Sequence, residues 1–299
     1  MATDALRQAS ARSDAEIALI ANRMRHDIIE MLGAAGSGHP GGSLSATDIM
    51  ATLFYSGLFA ADPADPENLE RDRFVLSKGH AAPALYALLV QLGYIPHDEI
   101  LTLRQVGSRL QGHPDRHACP GVEVCTGSLG QGLSVGAGMA LGLRLDAERD
   151  GEDPRRVFVL LGDGEMQEGE NWEAAMFAGN QALDNLVAIV DLNNLQIDGH
   201  VTDVNNIEPV ADKFRTFGWE TFEADGHDIT SVRAAFEAAV ACEGKPAVIV
   251  AKTIKGKGVS FMEDQVSWHG NAPSPEQTEV ALAEIDAAYE ALLAAQKEA

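Results

Sequence analysis

Apolar positions recur along this chain in two rhythms. Ile17, Ile20, Met24, Ile28 and Met31 return at three- and four-residue intervals behind the capping box Ser13-Asp14-Ala15-Glu16, which predicts a helix from residue 14 to about Gly33. Gly38-His39-Pro40-Gly41-Gly42 then predicts a break, and a second apolar helix is expected from about Ser45 to Phe59. Arg73 to Ser77, Trp219 to Ala224 and Ala247 to Thr253 read as strands, and Val157 to Leu161 and Leu186 to Val190 are short, nearly uninterrupted apolar runs. Such runs are the signature of strands buried on both faces. Helical stretches separate them at Ala84 to Leu92, Glu165 to Ala182 and Ile229 to Ala241. A further helix opens at Thr126 to Gly132 and carries Gly136, Gly138 and Gly142, small residues that predict close helix packing. Ser274-Pro275-Glu276-Gln277 opens a last helix to about Gln296. The alternation gives an α/β class, with a mostly parallel central sheet and helices on both faces. A single domain over residues 1–299 is expected, with N-terminal helices over 14–59 and a C-terminal helix over 275–296.

Composition narrows the partners. With 22 basic and 45 acidic side chains the formal charge is -23, which repels nucleic acid and anionic membrane. No apolar run reaches a membrane span and residues 1–13 lack a signal-peptide core. Cys119, Cys125 and Cys242 are too few for a disulfide framework. A cytoplasmic chain with reduced thiols is the expectation. Any anionic cofactor then needs a cation, histidines or backbone N–H groups for compensation.

Chemistry concentrates between Arg156 and Asn194. The run Val157 to Leu161 stops at Gly162-Asp163-Gly164, and the run Leu186 to Val190 stops at Asp191-Leu192-Asn193-Asn194. A β-α-β unit makes both strands end on the edge where open α/β sheets bind ligands. Neighbouring strands are about 4.8 Å apart, so the Asp163 carboxylate and Asn193 amide oxygen can share one hard cation. Mg²⁺ completes its shell with water and substrate phosphates, while Gly164 lets backbone approach an anion. The unit reads as a metal-diphosphate site; either tripeptide alone reads as a turn. Of nine histidines, His39, His80, His113 and His269 each adjoin a glycine in a predicted loop, as suits side chains converging on a polar ligand. Lys252, Lys255 and Lys257 read mostly as a solvated loop bordering the anion.

Gly162-Asp163-Gly164 followed thirty residues after Asp163 by Asn193 resembles the thiamine diphosphate motif, and the continuation Glu165-Met166-Gln167-Glu168-Gly169-Glu170-Asn171-Trp172-Glu173-Ala174 resembles the transketolase family. The resemblance covers about Ile17 to Gly270. It implies thiamine diphosphate as cofactor and Mg²⁺ as metal, with Ca²⁺ or Mn²⁺ as alternatives. It assigns Asp163, Asn193 and the Leu195 carbonyl to the metal. His80, Gly127, Leu129, Gly164, Glu168, Asn193 and His269 fall to the cofactor, and His39 and His113 to the reacting part of the sugar. Glu168 is also placed in the catalytic set, through a carboxylate network with Glu173 that links cofactor sites across an interface.

In the family, the glutamate that activates the aminopyrimidine ring lies in a second, pyrimidine-binding domain that this sequence lacks. Three readings follow. The first, favoured by the opening methionine and the capped final helix, is the N-terminal subunit of a split transketolase, transferring a two-carbon ketol unit from a ketose phosphate to an aldose phosphate. It would pair with a C-terminal subunit, two copies of each. The second is the α subunit of a 2-oxo acid dehydrogenase type of enzyme, against which the Gly-His loops weigh. The third is a non-catalytic cofactor-binding protein, against which Asp163 and Asn193 weigh. Glycine- and alanine-rich helices near Gly132 to Leu145, with Glu168 and Glu173, are the expected partner surface.

Overall fold

The computed structural model describes residues 2–298. A short helix, α1 (Ala2–Ser10), precedes α2 (Asp14–Ala35), whose capping box forms as expected: Ser13 Oγ accepts from Glu16 N and the Glu16 carboxylate accepts from Ser13 N. Helix α3 (Pro40–Tyr55) starts five residues earlier than its apolar pattern predicts. The expected break at Pro40-Gly41-Gly42 is therefore corrected. Proline at the first helical position needs no N–H partner, and the glycines serve close approach. A Cβ on Gly41 would lie 2.8 Å from Trp268 O, and one on Gly42 3.1 Å from His80 Nε2.

Strand β1 (Arg73–Leu76) leads through a single 3-10 turn into α4 (Ala82–Leu92), and a long connection reaches α5 (Gln131–Asp150). Then come β2 (Val157–Gly162), α6 (Gly169–Asn180) and β3 (Leu186–Leu192). The single helix predicted over Glu165–Ala182 is split: Gly164–Gln167 is a 3-10 turn and Glu168 is extended. A two-residue hairpin, β4 (Leu195–Gln196) and β5 (Gly199–His200), and the short helices α7 (Val201–Asn205) and α8 (Val210–Thr216) precede β6 (Glu220–Asp225), α9 (Ile229–Val240), β7 (Ala247–Lys252) and α10 (Pro275–Glu298).

The five main strands pair in the order β1-β2-β3-β7-β6, all parallel. Successive residues of β2 serve opposite cores. Phe158 and Leu160 join α2, α3, α4 and α9 on one face, while Val157, Val159 and Leu161 join α5, α6 and α8 on the other. No described helix is long and apolar enough to cross a membrane, and all three cysteines are free.

Close packing explains only part of the glycine content of α5. Gly132 and Gly136 press against Ser77 and Val159, but a Cβ on Gly138 or Gly142 would meet nothing within 4 Å. For these two the packing expectation fails within the chain. Gly132→Ala, whose Cβ would lie 2.7 Å from the Ser77 Cα, should cost about 1–3 kcal/mol of stability through overpacking. Gly138→Ala should instead stabilise the isolated chain by about 0.5–1 kcal/mol, the helix-propensity difference. Urea titrations of the two variants check this; equal effects would contradict the packing assignment.

Candidate active site

Parallel register aligns the carboxyl ends of four strands, with Gly162 beside Asp191 and Leu192 beside Lys252. The end of β1 supplies Ser77, Lys78 and His80; β2 supplies Asp163 and Glu165; β3 supplies Asp191 and Asn193; the segment after β7 supplies Lys255. His39 arrives as the residue capping α3, His113 and Gly127 from the connection before α5, and His269 from the segment before α10.

His39, His80, His113 and His269 do converge. From the His39 ring the centroids of His80, His269 and His113 lie at 5.4, 5.8 and 6.4 Å, and His80 stacks on His269 at 5.2 Å. Burial lowers the pKa of all four. His39 falls to about 4, with Arg104 next in effect, and His269 to about 3, with Lys255 next; His80 drops well below its usual value, with Lys78 next, and His113 is lowered, with Arg104 next. The neutral form is therefore favoured in each ring, with one nitrogen that can accept and one N–H to donate. His39 Nδ1 and Thr126 Oγ1 are buried without a hydrogen-bond partner. Buried polar atoms are rarely orphaned, so this pair marks where a polar ligand fits. Gly127 must be glycine here: its φ is +148° and a Cβ would lie 3.0 Å from the His113 ring.

Beside the histidines sits a buried charge cluster. Asp191 accepts from Lys78 Nζ, from Thr253 Oγ1 and, at 2.6 Å, from Ser45 Oγ. Burial alone would raise its pKa, yet the Lys78 charge and these bonds hold it below the ordinary carboxylate value. Asp163 lacks such a partner: burial, then the charge of Asp191, lifts it to about 6. Its oxygens accept from Gly164 N at 2.7 Å and from Asn194 N. The Leu195 carbonyl accepts from Lys255 Nζ at 2.6 Å, and Lys255 also reaches His269 Nδ1 at 2.9 Å. Lys255 is 3% exposed, so the solvated-loop reading is corrected for this residue, while Lys252 stays exposed and Lys257 partly so; burial, then Lys78, lowers the Lys255 pKa to about 8. A carboxylate short of positive charge beside an amide and a carbonyl oxygen is a donor set that suits a hard dication.

Leu129 and Glu168 stand apart, exposed on the outer rim, where Gly130 lets the backbone close on the Glu168 side chain. Glu173 is also exposed. Sequence reasoning missed four residues. Lys78 and Asp191 stand at or just after strand ends, the one signal that could have found them. Glu165, also missed, is buried and accepts from Ser77 Oγ, from Gly130 N at 2.9 Å and from Gly162 N at 3.0 Å, so it ties the Thr126–Gly130 loop to β1 and β2. This bonding also explains the split of the predicted helix, because the Glu165 carboxylate turns back toward β2. Arg104 was missed too; it is exposed at the rim, where its charge acts on His39 and His113.

Residues 17–291 match the family described as transketolase, thiamine diphosphate binding domain. The chain belongs to the transketolase family. It is 44% identical over 266 residues to a 6-deoxy-6-sulfo-D-fructose transketolase subunit of a Clostridium species, covering 89% of this chain and 94% of that one. It is 41% identical to an apulose-4-phosphate transketolase subunit of Actinobacillus succinogenes, with the same coverage. Longer transketolases match over less than half their length. The mouse enzyme is 43% identical over 89% of this chain and 41% of its own, and the Campylobacter jejuni transketolase structure superposes with a TM-score of 0.85 at 35% identity, covering 90% of this chain and 42% of that one. The transketolase fold is thus present here as its thiamine diphosphate-binding part.

Glu165→Gln should destabilise this transketolase chain by about 1–3 kcal/mol, because an amide NH₂ must then face one of the N–H or O–H groups the carboxylate now satisfies. Chemical denaturation checks this. Unchanged stability would show that the carboxylate does not hold the loop.

Proposed function

We propose that the chain is the N-terminal subunit of a split transketolase, holding thiamine diphosphate through Mg²⁺ and working only with a second polypeptide that carries the pyrimidine-binding part. The single observation that carries the reading is the convergence of four neutral histidines beside the Asp163, Asn193 and Leu195 oxygens, in a chain that spans 94% of relatives named as transketolase subunits.

When bound, thiamine diphosphate supplies the electron sink for breaking a ketose carbon–carbon bond. The chain's residues do the rest. Asp163, Asn193 and Leu195 would hold the metal, and the Leu195 carbonyl would then have to exchange its present donor, Lys255, for it. His80, His269 and Lys255 would face the diphosphate, with Gly127, Leu129, Gly164 and Glu168 shaping the remaining wall. His39 and His113, uncharged, can hold a proton on one ring nitrogen against a sugar oxygen and stabilise charge that develops there. Arg104, a cation exposed at the rim of a strongly acidic chain, suits the phosphate of a sugar phosphate. Free thiols suit a cytoplasmic location.

A partner surface is supported by α5 and α6. Leu129, Val135, Leu145, Met176 and Phe177 are exposed apolar side chains, and Gly138 and Gly142 add open, Cβ-free positions on α5. Exposed apolar patches of this kind mark interaction surfaces. Two copies of each chain around a two-fold axis would cover both cofactors.

Purified chain should show no ketol transfer with thiamine diphosphate and Mg²⁺ alone, and should gain it when the partner subunit is added. In that complex His39→Ala and His113→Ala should each lower the rate about a hundredfold or more while cofactor affinity falls less. Full activity from this chain by itself would overturn the split-enzyme reading.

A further inference from the structure

Among the histidines outside the cluster, His227 uses both ring nitrogens. Nδ1 lies 2.8 Å from the Asp48 carboxylate on α3, and Nε2 accepts from Ile254 N at 2.8 Å. The partners fix the tautomer: Nδ1 carries the proton, because Nε2 is taken as an acceptor. The same Asp48 oxygen accepts from Arg25 of α2, whose Nε donates to Lys257 O at 3.2 Å. Arg25 and Asp48 are buried, 8% and 6% exposed. One buried ion pair thus grips the segment after β7 at two points, residue 254 through His227 and residue 257 through Arg25. Lys255 lies between the grips. Gly258 makes room for the second, since a Cβ there would lie 2.8 Å from Arg25 Cδ. Gly256 N, which donates to Gly41 O at 3.1 Å, fastens the segment to the start of α3 as well.

We infer that Arg25, Asp48 and His227 form a positioning relay that fixes the backbone on both sides of Lys255 and so delivers its ammonium to the cofactor's diphosphate end. A lysine on a free loop would keep its charge in water; held from both sides, it is driven into the sheet edge. His227 touches neither ligand nor metal and acts through Lys255. The diphosphate reading above is needed only for the second arm of the test.

In the first arm, hydrogen exchange over residues 252–258 is followed in the full chain by mass spectrometry. His227→Asn keeps a donor near the Nδ1 position for Asp48 but cannot reach Ile254, and should speed exchange there about tenfold, the effect of one hydrogen bond. β2 and β3 should exchange as before. His227→Gln, whose amide oxygen reaches the Nε2 position, should restore slow exchange. Gly258→Ala, which both pushes a methyl group onto Arg25 and strains a backbone held at φ +96°, should loosen the segment without touching His227. Unchanged exchange in His227→Asn and Gly258→Ala would overturn the relay. In the second arm, the same chains are titrated with thiamine diphosphate and Mg²⁺. His227→Asn should weaken binding about tenfold in the native background but less than about twofold beside Lys255→Met, because residues acting through one another are not additive. An equal loss in both backgrounds would show that His227 does not act through Lys255. Absence of binding by the native chain would count against the diphosphate reading and not against the relay, which the exchange arm decides by itself.

Discussion

The Lys78–Asp191 ion pair is the interaction on which the rest of the site depends. Asp191 is fully buried at the end of β3, and its two oxygens gather Lys78 from β1, Ser45 from α3 and Thr253 from the end of β7. A buried charge that loses its partner costs about 3–5 kcal/mol, so these elements are held in one arrangement at the edge where ligands bind. The pair also sets the electrostatics around it. The Asp191 charge helps to push Asp163 up to about 6, and Lys78 helps to bring Lys255 down to about 8. The pair is thus satisfied within the chain, while Asp163 beside it remains short of positive charge.

That imbalance links the fold to the chemistry. A parallel sheet with all its strand ends on one edge brings Asp163, Asn193 and Lys255 together although 92 residues separate the first from the last. Close approach by glycine then closes the walls. Gly41 and Gly42 let the first turn of α3 meet Trp268, Lys255 and His80, and Gly79, in the turn after β1, leaves room for the Thr126–Gly127 backbone, from which a Cβ would lie only 2.7 Å. His39, His80 and His269 therefore stand half-buried behind these walls with His113 exposed at the mouth, and desolvation lowers the pKa of all four. On the outer side of α5 other glycines face open space, since a Cβ on Gly138 or Gly142 would meet none of the described residues within 4 Å.

Much of this was legible in the residues. The apolar runs Val157–Leu161 and Leu186–Val190 located β2 and β3, and the Gly-His loops together with the family resemblance singled out the four histidines that converge, adjacency to glycine alone being shared by Gly199-His200 and Gly226-His227. Asp163 and Asn193, expected at the ends of β2 and β3, do stand there. What stayed hidden depended on distant partners. Lys255 reads as solvated until Leu195 and His269 are placed beside it, and Pro40-Gly41-Gly42 reads as a break until Trp268 and His80 are seen to need the space. Glu165 reads as an ordinary helix residue because its three donors come from residues 77, 130 and 162. His227 looked unremarkable for the same reason. Glu168 and Leu129 lie on the rim, where the described residues leave them exposed.

The central claim is that the Asp163 carboxylate, left short of charge by the Lys78–Asp191 pair, recruits a dication that brings the diphosphate with it. Calorimetric titration of the full chain with thiamine diphosphate, with and without Mg²⁺, tests it most directly. The carboxyl must be ionised to ligate, and its folded value is about 6, so Mg²⁺-dependent binding should be strong at pH 7.5 and roughly tenfold weaker for each unit below about 6. Asp163→Ala should abolish it while the far-ultraviolet circular dichroism of the chain is unchanged. Binding that ignores Mg²⁺, or that survives undiminished in Asp163→Ala, would contradict the account.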